Sequence, residues 1–360
     1  MSKRSNDSIE RSQRKVEHVL HAMAVSAGTS NGLEDVKIVH QAFPEIDAAD
    51  VMIKTRFNQK RLSAPILINA MTGGHPNVFW INQELARIAQ QTGIAIAVGS
   101  QVAALEDSAL RSTFTIVREL NPTGVVFSNV PAYLSPDQVL QAVEMIAADG
   151  VQLHLNPTHE LVMLEGRRTF HGILENVSKI RSCLRLPIIM KEVGFGLSRE
   201  AVELAFAAGV DWFDVGGAGG TDFFAIEQKR NKLPITSNFS EWGIPTASSL
   251  LEVLGSNLPI KVIATGGIKS PLEAAKCLAL GAELVGIAGN LLKLLILDSS
   301  ERVIAEIEQM KRELHMILTL CGAENIAGLR QVPLVISGRT YEWARERGIR
   351  TEQFARRKRH

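Results

Sequence analysis

The stretch from Lys261 to Gly289, KVIATGGIKSPLEAAKCLALGAELVGIAG, holds one complete structural unit. An apolar run, KVIATGG, ends in glycine; an amphipathic segment, SPLEAAKCLALGA, follows; a second apolar run, ELVGIAG, starts at Glu283. Runs rich in Val and Ile read as strands, and the helical periodicity between them makes a parallel crossover. Working outward, the same rhythm recurs at APILINAM (from Ala64), IAIAVGS (from Ile94), GVVFSN (from Gly124), GVQLHLN (from Gly150), PIIMKEVG (from Pro187) and DWFDVGG (from Asp211). NQELARIAQQTG, DQVLQAVEMIAADG and SREAVELAFAAGV lie between them, each closing on a glycine suited to a helix C-terminus. Eight repeats with strands apolar on both faces predict an α/β fold, a (β/α)8 TIM barrel, rather than an open doubly wound sheet.

The chain has 360 residues, 46% hydrophobic and 21% charged, enough for a substantial core. Thirty-nine basic and 38 acidic side chains leave a formal charge of +1, so no global field draws nucleic acid or an anionic membrane. Aromatic residues make up 5%, too few for the stacking rows of single-strand binders. The three cysteines, Cys183, Cys277 and Cys321, form no CxxC pair, which points to a reducing, cytoplasmic compartment. The N-terminus lacks the apolar run of a signal peptide, and the greasiest stretch, Leu284 to Leu297, is broken by Asn290 and Lys293, so no membrane span is expected.

Residues 1–60 read as an N-terminal arm and lead-in, 61–295 as the barrel, and 296–360 as a C-terminal helical extension, with a helix around Glu301 to Leu320 and a solvated basic tail, ARRKRH. The polar segment Asp222 to Trp242 reads as a long insertion of the kind that forms lids.

Barrel enzymes place their reacting groups at the C-terminal strand ends. Those ends hold Met71-Thr72-Gly73-Gly74, Ser100-Gln101, Ser128-Asn129, His154 with Asn156, Lys191-Glu192, Gly216 to Thr221, Thr265-Gly266-Gly267 and Ala288-Gly289. Glycine turns after the last two runs suit a phosphate cradled on backbone N–H groups, although tight turns alone need the same residues. GGAGGTD from Gly216 adds a third such loop, and together they predict a phosphate-bearing cofactor. Lys191 has the chemistry for a Schiff base, a phosphate contact or the electron-rich end of a flavin, and equally for an ion pair with Glu192 or another rim carboxylate. In HLNPTHELVMLEG from His154, Glu160 suits a hard cation such as Mg2+ completed by substrate phosphate, and His159 suits proton transfer near neutrality. No cysteine lies nearby and no HExxH spacing occurs, which argues against zinc. In the arm, Arg14, Lys15 and His18 gather cations that would either close over a diphosphate or line an ordinary charged helix.

Taken together, RKVEHV, NAMTGG, GSQ, HLN followed by HE, KEVGFG, GGAGGTD, TGGIKSPLEAAKCLALGA and GIAG closely resemble the type 2 isopentenyl-diphosphate isomerases, from about Arg14 to Leu294. The resemblance implies an FMN-binding barrel of isoprenoid biosynthesis that interconverts isopentenyl and dimethylallyl diphosphate with reduced FMN, Mg2+ and NADPH as reductant, in a homotetramer. It implies FMN contacts at Met71, Thr72, Gly73, Ser100, Asn129, Lys191 and Thr221, and a phosphate grip at Gly266, Gly267, Lys269, Ala288 and Gly289. It further implies substrate binding by Arg14, Lys15, His18, His154, Asn156 and His159, a metal ligand at Glu160, and catalysis by His159, His154 and Lys191.

One place departs from the family. Where members read Asn-x-x-Gln-Glu and then Glu-Gly-Asp-Arg-Asp-Phe, this chain has Asn156-Pro157-Thr158-His159-Glu160 and Glu165-Gly166-Arg167-Arg168-Thr169-Phe170; Pro131 also stands where a glycine is usual. Histidine makes the hydrogen bonds of an amide and can also charge, so isomerase activity with an altered pH profile is expected. Three other readings remain. An FMN-dependent 2-hydroxy acid oxidoreductase would need a histidine base after the sixth or seventh strand, and none occurs between His171 and His315. A Schiff-base aldolase would use Lys191. A non-catalytic flavin-binding homologue would follow from the altered relay at His159.

Overall fold

The computed structural model describes residues 29–164, 166–231, 239 and 241–358. In chain order the strands are β1 (Val36–Ile38), β2 (Thr55–Phe57), β3 (Lys60–Leu62), β4 (Ile66–Ile68), β5 (Ala95–Ala97), β6 (Val126–Pro131), β7 (Gly150–His154), β8 (Ile188–Lys191), β9 (Trp212–Asp214), β10 (Lys261–Ala264), β11 (Leu284–Ile287) and β12 (Leu334–Ile336). Each of the eight apolar runs supplies one strand of a closed barrel, β4 to β11, with every neighbour parallel. The ring closes where Val285 of β11 meets Ile66 of β4 and Ile287 meets Ile68.

Period-two alternation sorts these strands between two cores. Ile66, Ile68, Val126, Val151, Ile188 and Val285 face outward and pack with the surrounding helices. Leu67, Phe127, Ile189, Trp212, Ile263 and Leu284 form a separate inner cluster. The hairpin of β2 and β3, which turns at Asn58 with φ 51°, closes that inner cluster with Phe57. The Phe57 ring lies 4.6 Å from that of Phe127 and 4.9 Å from that of Trp212, so one end of the barrel is stoppered with aromatic contacts.

Helix boundaries follow capping chemistry. Ser135 and Ser270 form capping boxes with Gln138 and Glu273, and Gly93 ends Phe79–Thr92 in the left-handed conformation. DQVLQAVEMIAADG departs from expectation: its helix stops at Met145, Ala147 takes the positive φ of 43°, and Gly150 opens β7 instead of capping. The insertion also differs from a plain loop. It begins with a helix, Phe223–Asn231, whose Ala225 N–H donates to the Asp222 carboxylate at 3.0 Å.

Beyond the helix Ser300–Leu320, the C-terminal segment turns back onto the lead-in, where β12 pairs antiparallel with β1. Of the basic tail, Arg357 is half-buried: its guanidinium donates to the Ala279 carbonyl at 2.7 Å and sits 4.6 Å from the Phe354 ring centroid. The helix Gly338–Glu346 and Arg347 dock through Glu252, a fully buried carboxylate. It accepts from Trp343 Nε1 at 2.8 Å, Arg347 Nε at 2.7 Å and the Arg199 N–H at 3.2 Å.

Burial pushes the Glu252 carboxyl up, but the hydrogen bonds from Arg347 and Trp343 outweigh it and hold it below the ordinary glutamate range. Its stabilisation is therefore complete above the unfolded value and is lost as pH falls through the folded one. Arg347→Ala is expected to cost about 2 kcal/mol near neutrality, the half-exposed guanidinium being partly screened. The deficit should shrink as the pH falls below about 4, as read by denaturant unfolding across pH.

Candidate functional site

On the inner face of the barrel, five of the apolar residues are followed two places on by a polar one. Leu67 is followed by Asn69, Phe127 by Asn129, Ile189 by Lys191, Trp212 by Asp214 and Ile263 by Thr265, and all five of these polar residues are buried. Gln152 joins them from β7. The fully buried Asp214 is their hub. Its Oδ2 accepts from Lys191 Nζ at 2.9 Å, Asn69 Nδ2 at 2.8 Å and Gln152 Nε2 at 3.4 Å. Its Oδ1 accepts from the Thr265 hydroxyl and the Gly216 N–H. Asn129 Nδ2 donates to Gln152 Oε1 at 2.9 Å, extending the layer across to β6.

Above this layer opens a cavity of about 480 Å³, within the usual size of cofactor sites. Its wall includes Met71, Lys191, Thr221, Gly266, Gly267, Lys269, Ala288 and Gly289, eight of the twelve residues expected at the cofactor. The loop glycines are required by close approach: Gly266 has φ 116°, and a Cβ there would lie 2.2 Å from the Gly217 carbonyl oxygen. The helix Gly289–Leu297 starts at the wall with no side-chain cap, leaving its first N–H groups to an anion.

Thr72, Gly73, Ser100 and Asn129 stand apart from this wall. Thr72 Oγ1 is buried with no hydrogen-bond partner. Gly73 has a packing reason of its own, since a Cβ there would lie 2.3 Å from the Phe114 ring. Ser100 is half-buried at the end of the β5 run, and Asn129 belongs to the polar layer beneath.

The pairing of Lys191 with Glu192 does not form. Lys191 turns inward to Asp214, whereas Glu192, the first residue beyond the strand, turns to the following loop and accepts from the N–H groups of Phe195 at 2.6 Å and Gly196 at 3.1 Å.

His154 ends β7 on the same face as Gln152, in register with Lys191. Asn156 is occupied as the cap of the helix Pro157–Val162: its Oδ1 accepts from the His159 N–H at 2.8 Å, and its Nδ2 donates to the Val193 carbonyl. His159 Nε2 lies 3.1 Å from Oε1 of Glu227, a fully buried carboxylate on the insertion helix that also takes Arg230 at 2.9 Å. The His159 ring packs 5.1 Å from that of Phe223. Glu160 Oε2 accepts from the Arg167 N–H at 2.7 Å, and among the described residues no group of three His, Cys, Asp or Glu gathers to hold a metal. Arg14, Lys15 and His18 lie outside the described residues. Asp214, Asn69, Gln152 and Glu227 were not among the residues expected at the site; for the first two, the signal was a polar residue spaced two from an inward apolar one.

Residues 125–335 match the family model of FMN-dependent dehydrogenases. A solved mandelate oxidase shares the fold at TM-score 0.63 and 16% identity, covering 89% of this chain and 91% of its own. The class is thus the FMN-dependent (β/α)8 barrel. An isopentenyl-diphosphate delta-isomerase of Moorella thermoacetica is 48% identical, over 93% of this chain and 96% of the relative. One of a Geobacillus species is 43% identical, over 96% and 99%. The chain belongs to the isopentenyl-diphosphate delta-isomerase family and is an isomerase.

Burial pushes the Glu192 carboxyl up to about 8, against the opposing N–H of Phe195. The native state then keeps a proton that the unfolded chain releases, so this residue makes stability fall as pH rises from 4.5 to about 8. Glu192→Gln is expected to flatten that slope in unfolding curves taken across the window.

Proposed function

We propose that this chain interconverts isopentenyl and dimethylallyl diphosphate with reduced FMN seated in the glycine-walled cavity. The carrying observation is the cavity itself: polar groups on its floor, a lysine in its wall, and glycine turns beside an uncapped helix N-terminus. The residues suit FMN. Gly266, Gly267 and Gly289 let the backbone approach a phosphate closely, the uncapped start of the helix Gly289–Leu297 offers N–H groups to it, and Lys269 adds a cation. The names of the relatives supply the substrate.

Moving the double bond requires a proton added at one end of an allylic unit and one removed from the other, through a cation-like state. Bound FMN, when reduced, supplies an electron-rich ring that steadies positive charge and a nitrogen that exchanges protons. Lys191 holds its ammonium in the wall, fixed from below by Asp214. Met71, Phe223 and Leu292 give that wall an apolar portion that excludes water from a cation. His159 and Glu227 hold a proton between Nε2 and Oε1 beside the segment that carries His154 and Asn156. Glu160 would bind Mg2+ through one carboxylate, with diphosphate and water completing the shell, the usual habit of this ion. Arg14, Lys15 and His18 would meet the same diphosphate.

The same reading takes NADPH as the flavin's reductant, a symmetric homotetramer as the assembly, and the cytoplasm as the location. Three free cysteines accord with that compartment, and no helix among the described residues is long and apolar enough to cross a membrane.

The purified protein is expected to be yellow and to release a chromophore that behaves as FMN. With reduced FMN and Mg2+ it should form dimethylallyl diphosphate at some point between about pH 5.5 and 8.5. A colourless protein that takes up no FMN, or an absence of turnover across this range, overturns the proposal; turnover of lactate or glycolate would restore the oxidase reading. His159→Gln is expected to keep or raise the rate near neutrality, and a fall beyond about tenfold would show that the imidazole has a role the amide lacks.

A further inference from the structure

We propose that Asp214 is a positioning residue that orients Lys191 and sets the electrostatic character of the cofactor site from beneath it. The inference rests on the reading that the cavity takes FMN. Asp214 forms no part of the cavity wall, yet four of the groups that donate to it do: Lys191, Asn69, Thr265 and Gly216. One carboxylate therefore fixes the proton direction of several groups that meet the occupant, because an ionised carboxylate only accepts. Asn69 shows the effect. Its Nδ2 is committed to Asp214, so its Oδ1 turns to accept from Gln152 Nε2 at 2.9 Å and the Ala70 N–H at 2.8 Å.

Lys191 has no other carboxylate partner among the described residues, and its side chain is 8% exposed against 0% for Asp214. One ammonium proton is directed down to Asp214, which leaves the others for the cavity. A lone buried ammonium would favour added negative charge on a ring above it. A carboxylate 2.9 Å from that ammonium offsets most of this field, and the occupant meets a neutral pair instead of a net cation. Such a pair spares a cation-like substrate state the repulsion of a bare ammonium.

Charge substitutions test this through the reduction midpoint of bound FMN, with no reliance on turnover. Asp214→Asn keeps the shape and leaves Lys191 unopposed, so the midpoint should rise above that of the wild type. Lys191→Met leaves the carboxylate unopposed, so it should fall. The double variant removes both charges together, a change that buried pairs often tolerate, and its midpoint should return toward the wild-type value. The double variant compared with Lys191→Met carries the test even if Asp214→Asn does not fold. FMN bound to Asp214→Asn with an unchanged or lowered midpoint overturns the inference, as does a double variant no different from Lys191→Met. A wild-type protein that takes up no FMN overturns the reading of the cavity and this inference with it.

Discussion

A carboxylate sealed inside a barrel has to be met by donors from several sides, and this requirement orders the upper inner face of the protein. Asp214 stands on β9 and is reached from the end of β4 by Asn69, from β7 by Gln152, from β8 by Lys191 and from the end of β10 by Thr265. Five of the eight strands thereby meet at one carboxylate, and Asn129 ties β6 to them through Gln152. Breaking any donor would leave part of a buried charge unsatisfied, which costs far more than the loss of an ordinary surface contact. The same layer is the floor of the cavity, so the demand for charge compensation and the geometry of the binding site are one constraint.

The two levels of the barrel interior divide the work. Below, Phe57, Phe127, Trp212 and Ile189 pack as one apolar cluster, and this half supplies hydrophobic stability. Above, the side chains are polar and the loops are glycine-rich, which lets the backbone approach a ligand closely. The barrel is shared with mandelate oxidase at 16% identity, so the architecture alone does not choose between oxidation and isomerisation. That choice lies in the rim. Here the helix Pro157–Val162 and the insertion helix Phe223–Asn231 meet through His159 and Glu227, where the family resemblance leads one to expect a glutamine at residue 159.

The eight strands were legible because each is a short Val- and Ile-rich run stopped by glycine or a small polar residue, a pattern that local sequence carries in full. The glycine loops and Lys191 were legible for the same reason, as strand-end residues. Partners were not. Lys191 sits next to Glu192 in sequence but pairs with Asp214, 23 residues away, because successive strand residues face opposite sides. Asp214 itself was absorbed into DWFDVGG as part of a strand, although its spacing from Trp212 marks it as inward. The amide of Asn156, a residue expected at the diphosphate, caps a helix, a role that Asn followed by Pro at the first helical position announces. The insertion helix was obscured by its polar composition, and Ala147, in place of a glycine, turns the chain out of the helix before β7.

The pairing of β1 with β12 fastens the lead-in, and the fastening reaches the glycine loops. Asp35 accepts the Thr340 N–H at 2.9 Å, Lys276 Nζ donates to the Leu33 carbonyl at 2.6 Å, and Asn31 Nδ2 donates to the Gly267 carbonyl at 2.8 Å. A chain of short contacts thus runs from the last fifth of the polypeptide to a loop at the mouth. The C-terminal segment behaves as a clasp: a proteolytic cut that released it would slacken the mouth of the barrel from the far side, without touching a single residue that faces the occupant.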